Sequence, residues 1–229
     1  SEHLARKFSA CKESWIQPVH INSTVFFESI IYRDIFPLYQ KEWELYDYVA
    51  TATYKTVAKQ LHYNKFTQNL DLIYNSLLIA KSGNYDIVPF LRSGSGTMSF
   101  CLYFHGKKFR TAWDALLLEL GYTIEIIRSH DEMKSFYRNI FIIKPKILKE
   151  LMGFMSRAMH IATTNPMVKE LLQVDSQYKE GSEEVSLRIF GTKYYQLHPF
   201  IFERLPSFYL HASGANICAA TDGPCPYNS

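Results

Sequence analysis

The stretch Asn139-Ile140-Phe141-Ile142-Ile143-Lys144-Pro145 changes character within a few residues. It opens as a continuous β-branched and aromatic run, which is strand chemistry. Pro145 then stands where the first turn of a helix tolerates a residue without an N–H. Ile147, Leu148, Leu151, Phe154, Met155 and Ala158 follow at the spacing of one buried helix face. A strand that feeds a helix in this way predicts an α/β domain.

Working upstream, Lys107 to Leu120 carries Phe109, Trp113, Leu116, Leu117 and Leu120 at helical spacing, with Gly121 as its C-cap. Met98 to Phe104 reads as a strand, and Ser93-Gly94-Ser95-Gly96 before it as a flexible loop. Tyr85 to Leu91 is a further strand. A helix capped by Asn64, with Phe66, Leu70, Ile73, Leu77 and Leu78 on one face, ends at Gly83. Leu45 to Thr53 is a strand, and Ile16 to Ile21 another, followed by a helix from Val25 that Pro37 breaks. Downstream, Asp175 to Glu184 is a polar loop leading to the aromatic segment Tyr194 to Leu210. Alternating strands and helices predict one sheet with helices on both faces. The domain is expected over 1–211, with 212–229 as a linker or flexible tail rich in Gly, Pro and small residues.

The 229 residues suffice for one sizeable core, and a formal net charge of +3 without a basic block argues against nucleic acid as a partner. No apolar run reaches the ~20 residues of a membrane span and no signal-peptide h-region opens the sequence, so a soluble cytoplasmic protein is expected. Cys11, Cys101, Cys218 and Cys225 form no CxxC pair, which leaves free thiols or a Cys218–Cys225 bridge. Aromatic residues reach 15%, enough to furnish both a core and a ligand surface.

His105 at an expected strand end and Asp114 beside Trp113 in the next helix read as a general base and its orienter, or as a surface histidine with an aspartate favoured by the helix dipole. Trp113 offers a ring for a sugar face. Glu203-Arg204, set in Phe200-Ile201-Phe202-Glu203-Arg204-Leu205, is either a structural ion pair or a ligand contact. No Asp-x-Asp pair is present to hold a divalent ion. That leaves Asp86 as a lone metal carboxylate, or Lys55, Arg92 and Lys107 as the cations that neutralise a leaving diphosphate.

With these segments laid out, the sequence resembles a family of bacterial and viral glycosyltransferases of surface-polysaccharide synthesis. The likeness is carried by Asn22-Ser23-Thr24-Val25-Phe26-Phe27-Glu28-Ser29, Leu38-Tyr39-Gln40-Lys41-Glu42-Trp43 and Asp47-Tyr48-Val49-Ala50-Thr51-Ala52-Thr53-Tyr54-Lys55. It continues through His105-Gly106-Lys107-Lys108-Phe109, Trp113-Asp114-Ala115-Leu116-Leu117, Phe136 to Pro145, and Phe200 to Leu205. Ala50 and Thr53-Tyr54-Lys55-Thr56 depart from the family's Asp-Tyr-hydrophobic-Gly and His-Tyr-Arg-Arg run. The viral members point to a rhamnosyltransferase-like domain of a multidomain chlorovirus protein that builds capsid glycans, acting in the host cytoplasm.

The resemblance implies a GT-A-like mixed sheet flanked by helices, a nucleotide-diphosphate sugar donor such as a UDP sugar, and a glycan acceptor. It implies donor contacts at Asn22, Thr51, Tyr54, Lys55, Asp86 and Arg92, and acceptor contacts at Trp113, Asn139 and Arg204. Asp114, His105 and Glu203 are the catalytic candidates, no further cofactor is implied, and the divalent metal is left open. A rival from another class is a carbohydrate- or nucleotide-sugar-binding module that keeps the fold without catalysis.

Overall fold

The computed structural model describes residues 27–51, 76–89, 96–133, 136, 141–178 and 183–218. Its centre is the segment quoted above. β3 (Phe141–Ile143) lies between β1 (Val49–Thr51) and β2 (Ile87–Pro89), antiparallel to both. Val49 and Ile87 both face Ile143 across the ladder, and Thr51 and Pro89 both face Phe141. Residues 216–218 add a parallel bridge from Ile217 to Ile87 on the free side of β2, with the Cys218 N–H donating to the Ile87 carbonyl at 2.9 Å.

All three residues of β3 are buried, because both faces of the sheet are covered. Phe141 and Ile143 enter the main core, while Ile142 joins Val88, Ala80 and Cys218 on the other face. The helical segment 76–82 supplies Ala80 to that second cluster. The main core is closed by α5 (Pro145–Thr164), whose Leu148, Leu151, Met152, Met155, Ala158, Met159 and Ala162 form a buried stripe at three- and four-residue spacing. Asn165 ends α5 and caps α6 (Pro166–Leu172), its side-chain oxygen accepting from the Val168 N–H at 3.2 Å.

Before β1 the chain makes short helical turns, Phe27–Ile30, Ile31–Ile35 and Phe36–Tyr39, and then α1 (Gln40–Trp43). Helical structure continues past Pro37, which sits in the first turn of Phe36–Tyr39 where no N–H is needed. The Trp43 indole N–H donates to the Phe36 carbonyl at 2.8 Å and fixes this run against itself. Among the described residues of the expected strand Leu45 to Thr53, only Val49–Thr51 is extended.

Met98 to Phe104, expected as a strand, is helical. α2 (Thr97–His105) buries Thr97, Met98, Cys101 and His105, a helical spacing that a short apolar run does not distinguish from a strand. Its first N–H groups are taken by another part of the chain: Thr97 donates to the Met133 carbonyl at 3.0 Å and Met98 to the Asp131 carbonyl at 2.9 Å. α3 (Lys107–Glu119) and α4 (Ile124–Ser129) follow, then α7 (Glu183–Phe190), α8 (His198–Phe202) and α9 (Leu205–Ala212).

The described architecture is therefore mixed α/β and mostly helical, around a small antiparallel sheet. Of residues 212–218, expected to begin the linker, Ala212 ends α9 and 216–218 pack on β2, where Cys218 meets Val88; residues 219–229 lie outside the described set. No helix among the described residues is long and apolar enough to cross a membrane. Cys101 is a buried free thiol and Cys218 is buried, while Cys225 lies outside the described residues.

Candidate functional site

Gly106 joins α2 to α3 with φ +66° and ψ −170°, a conformation that belongs almost wholly to glycine. The joint leaves His105 pointing inward at 2% exposure. His105 Nδ1 lies 2.8 Å from the Ser176 carbonyl oxygen, which can only accept, so Nδ1 carries the proton. The imidazole lies against Phe200 at 4.3 Å between centroids and stacks on Phe109 at 5.7 Å. Burial lowers its pKa against the opposing Ser176 hydrogen bond, with Arg204 adding a smaller lowering, so the ring is neutral near pH 7.

Arg204 reaches the same place from the turn between α8 and α9. It is 4% exposed, donates to the Phe200 carbonyl at 2.6 Å and contacts Glu203 Oε2 at 3.4 Å. Its guanidinium carbon lies 5.8 Å from the Phe100 ring centre and 5.9 Å from that of Phe109. Aromatic faces and carbonyl oxygens replace part of the hydration that burial removes. Cys101 adjoins it, and burial pushes that thiol up to about 11, so it is not a nucleophile at neutral pH.

The fold thus brings together His105, Glu203 and Arg204 from opposite halves of the chain. Glu203 is the outward member, its side chain 30% exposed. Arg204 lies over Phe100 of α2, and along the same helix Tyr103 is 83% and Phe104 47% exposed, with Phe104 4.6 Å from Phe100 and 4.9 Å from Tyr103 between centroids. Exposed aromatic rings and a part-exposed carboxylate suit a polyhydroxylated ring, which offers C–H groups to the former and hydroxyls to the latter.

Asp114 and Trp113 do not join this cluster's open side. Both Asp114 oxygens accept from Arg128, at 2.7 and 2.6 Å, and Arg110 stands 3.8 Å away while pairing with Asp131 at 2.6 and 2.7 Å. That network ties α3 to α4 and the turn after it. The carboxylate raises the Arg128 pKa, chiefly through the side-chain hydrogen bond. Trp113 is 2% exposed, stacked on Phe109 at 5.8 Å and edge-on to Phe208 at 5.6 Å. Its ring faces are occupied by the core, which leaves no face for a sugar.

Thr51 and Asp86 lie at opposite ends of the sheet. Thr51 Oγ1 accepts from the Phe141 N–H at 3.4 Å, beside the strand end at Pro89. From this end the sequence continues to Tyr54, Lys55 and Arg92, and Asn139 precedes β3; these four, with Asn22, lie outside the described residues. At the other end Asp86 accepts from the Lys144 ammonium at 3.0 Å and the Asn216 N–H at 2.9 Å. Burial by itself would raise the Asp86 pKa; the Asn216 hydrogen bond and the Lys144 charge outweigh it and hold the carboxyl below its usual value. A carboxylate already neutralised by Lys144 is a poor lone ligand for a cation. No group of three or more His, Cys, Asp or Glu side chains that could hold a metal ion occurs among the described residues.

Comparison with protein-family models, with curated proteins and with solved structures finds no match to this chain. Sequence reasoning missed Ser176, Phe100 and the two basic partners of Asp114, Arg110 and Arg128. Phe100, Tyr103 and Phe104 were legible as a helical triplet once the strand assignment was dropped; the Ser176 contact is made by a backbone carbonyl and has no residue signature.

Proposed function

We propose that the chain is a glycosyltransferase domain that moves a sugar, with L-rhamnose among the candidates, from a nucleotide-diphosphate donor to a glycan hydroxyl. The observation that carries this reading is the meeting of Arg204 with Glu203, with His105 and with Phe100, the inner member of the α2 aromatic triplet Phe100, Tyr103 and Phe104. In a single displacement the acceptor oxygen bonds to the anomeric carbon as the bond to the diphosphate breaks. The diphosphate leaves with the electron pair, and the hydroxyl proton passes to a base. Glu203 takes that role in place of Asp114, whose two oxygens are held by Arg128. Arg204 positions Glu203, and neutral His105 fixes the α2 end against the 176 backbone.

A GT-A-like sheet is part of the proposal, with the donor at the strand ends Thr51, Pro89 and Phe141, from which the sequence leads to Tyr54, Lys55, Arg92 and Asn139. Cationic side chains, Lys55, Arg92 and the exposed Lys107, would meet the leaving diphosphate in place of a metal pair. The non-catalytic sugar-binding module is the second reading, favoured by the internal pairing of Asp114 and the burial of His105 and Trp113.

A thermal-shift panel of UDP, dTDP and GDP sugars tests donor binding. Stabilisation by one of them is expected, and a saturating panel that stabilises nothing removes the support for a transferase. Turnover is expected to survive a chelator; activity abolished by EDTA and restored by manganese overturns the metal-free part.

A further inference from the structure

A cleft of about 410 Å³ lies between α6 and Tyr194, lined by Pro166, Lys169, Glu170, Gln173, Val174 and Tyr194. It is shallow and open to solvent. Pro166, Lys169, Glu170 and Gln173 recur at three- and four-residue spacing, so one stripe of α6 and its C-cap forms a wall, while Val168 and Leu172 on the opposite stripe are buried. Tyr194 closes the other side at 38% exposure, its carbonyl accepting from Thr192 Oγ1 at 2.8 Å. Backbone pairing locks the two walls: Leu197 donates to the Leu172 carbonyl at 3.1 Å and Ser176 to the Tyr195 carbonyl at 2.9 Å.

We propose that this cleft binds a neutral pyranose ring of a glycan. The argument is the composition of the walls. The lining holds a phenol ring, a carboxylate, an amide and an ammonium, so a ring ligand can lay its C–H face on Tyr194 and direct vicinal hydroxyls at Glu170 and Gln173. Lys169 and Glu170 cancel in charge, so the cleft selects neither an anion nor a cation. Pro166 and Val174 supply apolar contact without narrowing the mouth. The site stands apart from the transfer reading, since it needs neither Glu203 nor a donor. Ser176, which holds His105, lies two residues beyond Val174, so the cleft and the His105 cluster share one backbone segment.

The test is a protein-observed NMR titration of the whole chain with methyl α-L-rhamnopyranoside and, separately, methyl β-D-glucopyranoside. Shifts centred on residues 169–174 and 192–196 are expected with at least one of them, weakened about fivefold or more in Tyr194→Ala, as loss of one aromatic contact implies. Gln173→Ala, on an exposed helix end, weakens the same shifts and serves if Tyr194→Ala does not fold. No shifts with either pyranoside at tens of millimolar, or unchanged affinity in the variants, overturns the proposal. The nucleotide-sugar panel on the same samples separates the two readings: pyranoside binding at Tyr194 without donor binding leaves this cleft standing and the transferase reading fallen.

Discussion

A guanidinium that keeps only 4% of its exposure has given up nearly all of its water, and Arg204 replaces it with the Phe200 carbonyl, Glu203 and two aromatic faces. Removing the charge is therefore less harmful than removing a partner. Arg204→Met, similar in length and apolar, should cost less stability than Arg204→Ala, which adds a cavity of the kind that costs about 2–5 kcal/mol in cores; urea unfolding of both variants checks the order. Asp114 is the opposite case, a carboxylate whose work is to join α3 to α4. Asp114→Asn should lose about 1 kcal/mol, after discount for the partly exposed Arg128, and lower the melting temperature by about 2–4 °C. Glu203-Arg204 was legible in the sequence because two charges stood in an apolar run. Asp114 was misplaced because Arg128, which holds both its oxygens, is brought to it only by the turn at Gly121 and the helix after it.

At the scale of elements, the strand–proline–helix signal was legible over the described residues 141–158, since Pro145 and the apolar stripe of α5 are both local features. The helix at 107–119 was legible for the same reason. α2 was not: its apolar run carries no decisive period, and what makes it a helix is a cap made by the distant carbonyls of Asp131 and Met133. Gly106 makes that element useful by turning the chain so that His105 faces Ser176 and α3 starts at once. A Cβ at Gly106 meets Gln177 Oε1 at 3.4 Å and imposes a φ of +66° on an L residue. Gly106→Ala should cost about 1–3 kcal/mol and disturb the His105 contact, which calorimetry and the imidazole proton signals would report.

For the whole molecule, two neutral imidazoles, His105 buried and His198 half-buried, weaken the fold in acid. Burial pushes His198 down to about 4, and burial lowers His105 as well. The unfolded chain protonates histidine near the ordinary value of about 6.5, so below that pH it binds more protons than the folded chain and is favoured. The His198 contribution is complete above about pH 6.5 and is lost as the pH falls toward 4. Urea midpoints should therefore drop between pH 7 and 4.5, and His198→Phe, beside Phe190, should flatten that slope. The closing of the domain by residues 216–218 against β2 was hidden in the sequence, because a Gly- and Asn-containing stretch reads as linker until a strand edge is there to receive it. The proposed transfer takes place at Glu203. Nucleoside-diphosphate release from the donor that stabilises the chain, measured with a glycan acceptor for the wild type and Glu203→Gln, tests it most directly. Acceptor-dependent release that falls about 10²-fold or more in Glu203→Gln with donor binding kept is the predicted result; release that is unchanged in Glu203→Gln, or that never depends on acceptor, contradicts it.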